Sequence, residues 1–178
     1  MRASSVQLKP HPNHADHGVD SVHVALARSG NGIHLEYQII GDPSHILLPD
    51  VPGGDRRDEL WKHTCLEAFI RLEDSDGYVE LNFAPNGDWA AYQFDGYRRN
   101  GKDLAVDAPR IAFKKAAIEI ALAVTLPTLP ELYQRNTIQL GLSAVIETPQ
   151  NDCYYWALFH PSDTPDFHRA ENFQISLD

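Results

Sequence analysis

Residues 61–98, WKHTCLEAFIRLEDSDGYVELNFAPNGDWAAYQFDGYR, read as three consecutive strands joined by two tight turns. Stretches 65–72, 78–84 and 89–94 alternate in character, the period-two pattern of a sheet with one face in a core. Between them stand Asp74, Ser75, Asp76, Gly77 and Pro85, Asn86, Gly87, Asp88, the residue types that tight turns select. Leu66, Ala68, Ile70, Leu72, Val79, Leu81 and Phe83 form the apolar set. The opposite face is expected to carry Glu67, Arg71, Tyr78, Glu80, Asn82, Trp89 and Gln93, with Arg98 closing the segment. Rings mixed with carboxylate, amide and guanidinium groups on a sheet suit a small polar, ring-shaped ligand.

Alternation continues on both sides. Val22, Val24 and Leu26 precede a turn at residues 29–32, and Ile33, Leu35, Tyr37 and Ile39 follow it, a hairpin signal. A loop rich in Pro, Gly and Asp covers about 41–60. Later strands are expected near 110–115, 117–126, 137–147, 154–159 and 172–177. Leading into and through 117–126, the sequence KKAAIEIA at 114–121 also suits a helix, but strict period two through Ile118, Ile120, Leu122 and Val124 favours a strand. A single helical turn is expected near 129–134, after Pro130. Short strands punctuated by turns predict an all-β, antiparallel β-sandwich of one domain, residues 19–178, preceded by an N-terminal tail, residues 1–18, expected to lack order.

Composition narrows the function. With 178 residues and 43% hydrophobic content the chain can bury a proper core. A net charge of -10, with no long basic run, opposes binding to a phosphate backbone, so no nucleic-acid partner is expected. No apolar stretch has the length of a secretory leader or a membrane span, so no membrane partner is expected. The two cysteines, Cys65 and Cys153, sit in apolar strand-like runs; reduced thiols in a cytoplasmic protein are the expectation, a single bridge between them the alternative.

Glu67 is the most demanding residue of the expected polar face, because a buried carboxylate is costly unless it is paired or hydrogen-bonded. Arg71, two residues on, could satisfy it locally. With Tyr78 and Asn82 it could instead form a ligand site. Small residues such as Ala117, Ala121, Ala123, Gly141 and Ser143 suggest a concavity, or else positions covered by a loop.

The spacing W-(five residues)-E-A-F-I followed by Y-V-E-L-N-F-A-P-N-G-D-W resembles the superfamily of DOMON domains and family-nine carbohydrate-binding modules. The bacterial branch called DOMON-like is the nearest match, and YYWALFHPSDTPDFHR near the C-terminus is similar to it too. The resemblance runs from about Val19 to Leu177. It implies a jelly-roll-like β-sandwich that binds a saccharide or haem, or has no ligand. For the carbohydrate modules it implies that Trp61 and Glu67 hold a terminal sugar, with Asn82 beside them and Trp156 as an opposing aromatic. Haem-binding members use Met and His ligands. Met1 is the only methionine here, which leaves only a pair from His63, His160 and His168 for haem.

Other constellations have plainer explanations. His11, His14 and His17 beside Asp16 have the spacing of a metal-binding tail, but lie in the expected disordered segment. Asp74, Ser75, Asp76 and Gly77 look like part of a Ca²⁺ loop, which the resemblance also allows, yet a hairpin turn accounts for them. Asp166 and Arg169 should form a local ion pair, with Phe167 plugging one end of the fold. Glu67 and Glu80 could serve as the two acids of a glycoside hydrolase, but nothing in the sequence marks a raised-pKa acid. The expectation is therefore a non-catalytic module for a saccharide or similar small polar ligand, its site drawn from Trp61, Glu67, Tyr78, Asn82, Gln93, Arg98 and Trp156. The alternatives are a haem or other cofactor domain, or an interaction domain whose pocket is filled by its own side chains.

Overall fold

The structure is a computed structural model that describes residues 3–13, 18–29, 32–130, 133 and 137–177. Among them the chain is all-β, with twelve strands: β1 (Ala3–Pro10), β2 (Val19–Ser29), β3 (Gly32–Gly41), β4 (Cys65–Leu72), β5 (Tyr78–Phe83), β6 (Trp89–Phe94), β7 (Lys102–Asp103), β8 (Arg110–Lys115), β9 (Glu119–Thr125), β10 (Ile138–Glu147), β11 (Cys153–Ala157) and β12 (Ile175–Leu177). The hydrogen-bond path runs β7-β6-β5-β4-β10-β11-β1-β2-β3-β9-β8, with β12 joined to β10 beside β11. All these pairings are antiparallel.

The ladder is one curled sheet, and β1 carries it around the bend. Its residues Ala3–Leu8 pair with β2, while Lys9 and Pro10 pair with Ala157 and Trp156 of β11. Of the N-terminal segment expected as a tail, Ala3–Pro10 therefore belongs to the sheet. Its signal was faint because only Val6 and Leu8 alternate before Pro10 ends the run. His11, at the end of β1, is buried; His14 and His17, the rest of the expected metal-binding trio, lie outside the described residues.

Side-chain parity sets the core. β3 alternates buried and more open positions along its length. Val22, Val24, Leu26, Leu35, Tyr37, Ile39, Ile120, Leu122 and Val124 from one half of the ladder share a hydrophobic cluster with Leu66, Ile70, Leu81, Phe83, Leu140 and Leu142 from the other. The Tyr37 hydroxyl crosses this core and donates to the backbone carbonyl of Glu67 at 2.7 Å. Burial of such side chains contributes roughly 25 cal/mol per Å² of apolar surface, so this shared core is the main source of cohesion. Ile118 is an exception to the expected set: it precedes β9 and is 69% exposed.

β5 is buried at every position. One of its faces meets the core and the other is covered by residues 163–173, as the next section describes. No helix is long and apolar enough to cross a membrane among the described residues.

Candidate functional site

Cross-strand register identifies the second face of β4, β5, β6, β10 and β11. Glu67 stands opposite Asn82 and Ser143, Phe69 opposite Glu80, and Glu80 opposite Tyr92. Tyr78 is paired with Phe94, and Val145 with Tyr155. These residues all point away from the shared core, because alternate residues of a strand point to opposite sides.

Above this face opens a cleft of about 720 Å³, large enough for a small-molecule ligand. Glu67, Glu80 and Val145 contribute to its floor, and Tyr92, Phe94 and Tyr155 to its sheet side. Trp61 stands on the 3-10 turn Leu60–Lys62 just before β4 and is 47% exposed. Thr164, Pro165, Phe167 and His168 from the loop before β12 supply the facing wall, and Arg98 and Lys102 complete the rim.

The loop is fastened by a cluster around Asp166. Its carboxylate accepts from Tyr97 at 2.5 Å and from Arg98 at 3.1 Å, and pairs with Arg169 at 3.5 Å. These donors hold the Asp166 pKa below its ordinary value against the opposing effect of burial. The expected Asp166–Arg169 pair is present, and Phe167 is buried at the edge of the cleft. Arg98 adopts a left-handed φ of 50°, which is uncommon for a residue with a side chain. In that conformation its backbone N–H donates to the Tyr78 hydroxyl at 3.2 Å.

The floor is electrostatically strained. Glu67 and Glu80 are 2% and 5% exposed. Ser143 Oγ donates to Glu67 Oε2 at 2.9 Å, and Asn82 Nδ2 donates to Glu80 Oε1 at 2.9 Å. Burial, reinforced by the charge of Glu80, pushes the Glu67 pKa up to about 8 despite the Ser143 bond and the Arg98 charge. Burial also raises Glu80, opposed by Asn82 and Arg98. Glu67 therefore keeps its proton at neutral pH, where a second negative charge beside Glu80 would be costly. His168 moves the other way: burial and then the Arg98 charge lower it to about 4, so it is neutral at pH 7. Its Nδ1 lies 2.7 Å from the Tyr78 hydroxyl, and its Nε2 is 3.8 Å from Glu80 Oε2.

The expected site residues separate accordingly. Trp61, Glu67 and Arg98 line the cleft. Asn82 is fully buried beside Glu67 and supports the floor. Tyr78 shares the face but is 2% exposed, stacked on Phe94 at 4.9 Å and capped by His168. Gln93 and Trp89 are on the other parity of β6: they pair with Val79 and Phe83, and Trp89 belongs to the core. Trp156 is a core residue too, 2% exposed and paired with Ala144, so it cannot be the opposing aromatic. Its neighbour Tyr155 lines the cleft instead.

The small residues also divide. Gly141 lies under Asn172, whose carbonyl would be 3.1 Å from an added Cβ, and Ser143 serves Glu67. Ala121 and Ala123 alternate with buried Ile120 and Leu122, so they face outward on the other half of the ladder.

Tyr92, Phe94, Tyr155 and Phe167 are cleft-lining aromatics that the sequence reading missed. The register of the 83–89 hairpin would have placed the first two; the third needs the β10–β11 register and the fourth a loop contact distant in sequence. Of the histidines considered for haem, only His168 lines the cleft; His63 is bonded to Glu147 at 2.9 Å and His160 to the Lys9 carbonyl at 2.8 Å. Among the described residues no three His, Cys, Asp or Glu side chains converge as a metal site. The Asp74–Gly77 segment behaves as a turn, with Gly77 N–H donating to Ser75 Oγ at 3.1 Å.

No protein-family profile matches the chain, and no curated protein matches its sequence. Its structure is similar to that of a protein from Bacteroides uniformis ATCC 8492, named a "putative carbohydrate-binding protein", with 14% identity over 96% of this chain and 84% of that one and a TM-score of 0.71. It is also similar to a family-nine carbohydrate-binding module from Caldicellulosiruptor kristjanssonii in complex with cellotriose, with 10% identity over 78% of this chain and 65% of that one and a TM-score of 0.49. At such identities the first likeness is one of fold, and the second adds nothing to it.

Proposed function

We propose that this chain is a non-catalytic module that binds a saccharide or similar small polar ligand, in a fold of the DOMON and family-nine type. The observation that carries the reading is the joining of a buried carboxylate floor to aromatic walls in one open cleft. A sugar has apolar C–H faces that stack on rings and hydroxyls that hydrogen-bond to acids. Trp61, half exposed at the mouth, is suited to the first task, and Glu67 and Glu80 to the second. The likeness to a protein named for carbohydrate binding supports the reading through fold alone. The free thiols Cys65 and Cys153 support a reducing, cytoplasmic setting.

Isothermal titration with a panel of hexoses and their disaccharides tests this function. Saturable heats, lost in Trp61→Ala with the fold intact, are expected; flat traces across the panel would overturn it. One observation favours hydrolysis as a second reading. Glu67 holds a proton near neutral pH beside a second carboxyl, as a general acid would. Turnover of aryl glycosides that disappears in Glu67→Gln would replace binding with catalysis.

A further inference from the structure

The floor of the cleft has too few hydrogen-bond donors for its acceptors. Two carboxyl groups present four oxygens to the cleft, and Asn82, buried beside them and not part of the lining, has an Oδ1 of its own. Ser143 supplies one donor, the Asn82 amide another, and Glu67 its own proton near neutral pH. Glu67 Oε1 and Glu80 Oε2 receive no hydrogen bond among the described residues, the closest group to the latter being His168 Nε2 at 3.8 Å. Asn82 Oδ1 is fully buried and has no hydrogen-bond partner among the described residues. A buried acceptor left without a donor costs about 1–3 kcal/mol, more when charged.

Charge leans the same way as hydrogen bonding. Of the acids lining the cleft, Asp58 and Asp103 pair with Arg56 and Glu59 with Lys62, which leaves Glu67 and Glu80 facing Arg98 and Lys102. Arg98 spends its guanidinium on Asp166, and its side chain is 53% exposed at the rim. Lys102 is exposed on β7. Both cations therefore belong to the rim, while the acids Glu67 and Glu80 lie at the bottom. The walls are aromatic, and the face of an aromatic ring attracts a cation.

We infer that the floor is a seat for a protonated amine, and that the ligand is an amino sugar with its ammonium group directed at Glu67 and Glu80. This rests on the saccharide reading above and specifies the ligand within it. An ammonium group brings three donors and no acceptor, which is what the floor lacks. A neutral sugar brings each donor with an acceptor attached. An N-acetyl group removes the charge and adds a carbonyl, so it should be poorly received. The cation would also allow both carboxyls to ionise together, relieving the repulsion between them.

The test uses the intact wild-type chain and needs no variant to be decisive. Glucosamine, galactosamine and mannosamine are titrated at pH 6, each beside its parent hexose and its N-acetyl derivative, with cyclohexylamine as a non-sugar amine. At least one amino sugar is expected to bind tenfold or more tightly than both of its neutral counterparts. Glu80→Gln should reduce that preference to threefold or less; circular dichroism and the unfolding midpoint report whether the variant folds. Hexoses that bind as tightly as their amino counterparts would overturn the amine seat and leave the saccharide reading standing. Cyclohexylamine binding without any sugar would overturn the saccharide reading and uphold the seat. Silence from the whole panel would overturn both.

Discussion

The Tyr78 hydroxyl and His168 Nδ1 lie 2.7 Å apart, joining the start of β5 to the loop that walls the cleft. The Arg98 backbone N–H donates to the same hydroxyl, so the phenol proton is directed to His168. A neutral His168 that accepts this proton on Nδ1 holds its own on Nε2, 3.8 Å from Glu80 Oε2. This contact fixes both a wall and the state of a titratable ring. Tyr78→Phe removes it and leaves Nδ1 without its donor in a largely buried place. A loss of about 1–3 kcal/mol is expected in urea unfolding. Hydrogen exchange should also rise in residues 163–169 more than in β5. Equal protection of the loop in the two proteins would show that the tether is not what holds it.

Stability should fall as pH rises from 6.5 to 8. In the fold Glu67 keeps its proton to about pH 8, against an ordinary 4.5 when unfolded. Over that interval the native state binds more protons, so raising the pH favours unfolding. His168, lowered to about 4 from 6.5, binds fewer protons when folded, and its effect has the opposite slope between 4 and 6.5. The two oppose each other below 6.5; above it His168 no longer contributes, and the decline belongs to Glu67 and to its neighbour Glu80, whose pKa burial also raises. The expected decline from 6.5 to 8 is about 2 kcal/mol at most. Glu67→Gln should reduce it; identical slopes in denaturant titrations of the two proteins would contradict the assignment.

Trp61 and Trp156 should behave as opposites. Trp61→Ala removes a half-exposed ring, and its effect on stability should stay within about 1 kcal/mol while ligand affinity falls at least tenfold. Trp156→Ala empties a core position, with an expected cost of about 3–5 kcal/mol. Thermal melts and titrations on the two variants check both halves.

Arg98 and Asp166 should couple. Their ion pair is half open to water, so a double-mutant cycle with Arg98→Ala and Asp166→Asn should give about 0.5–1 kcal/mol. The same Arg98→Ala removes the positive charge that restrains the Glu67 and Glu80 pKa values. Their midpoints, followed by carboxyl carbon NMR, should move upward. Unmoved midpoints would place the guanidinium too far away to matter.

Most of the sheet was legible because it has one core face. The apolar sets of β2, β3, β4, β5 and β10 are spaced by two residues, and the structure buries them together. The site was harder, since both parities of β6 and β11 contain aromatics. Trp89 and Gln93 looked as suited to a ligand as Tyr92 and Phe94, and Trp156 as suited as Tyr155. Only register separates them, through Phe83 opposite Trp89 and Ala144 opposite Trp156. Glu67 was legible because a carboxylate among Leu66, Ala68 and Ile70 demands a reason. His168 acquires its role only from contacts with Tyr78 and Phe94, far away in the chain. Local pattern cannot carry that information.

The position of β1 between β2 and β11 has a consequence for how the molecule assembles. Lys9 and Pro10 meet their partners almost 150 residues later, at Ala157 and Trp156. Joining such distant segments gives a high contact order, and chains of that kind reach their native state slowly. During synthesis β1 and β2 can pair early, but the outer end of β1 must wait until β11 has left the ribosome. Until then the outer end of β1 lacks its neighbour and an unpaired strand edge stands open to other chains. The residue pair that completes the sheet thus also sets the interval in which the nascent protein is most vulnerable to aggregation.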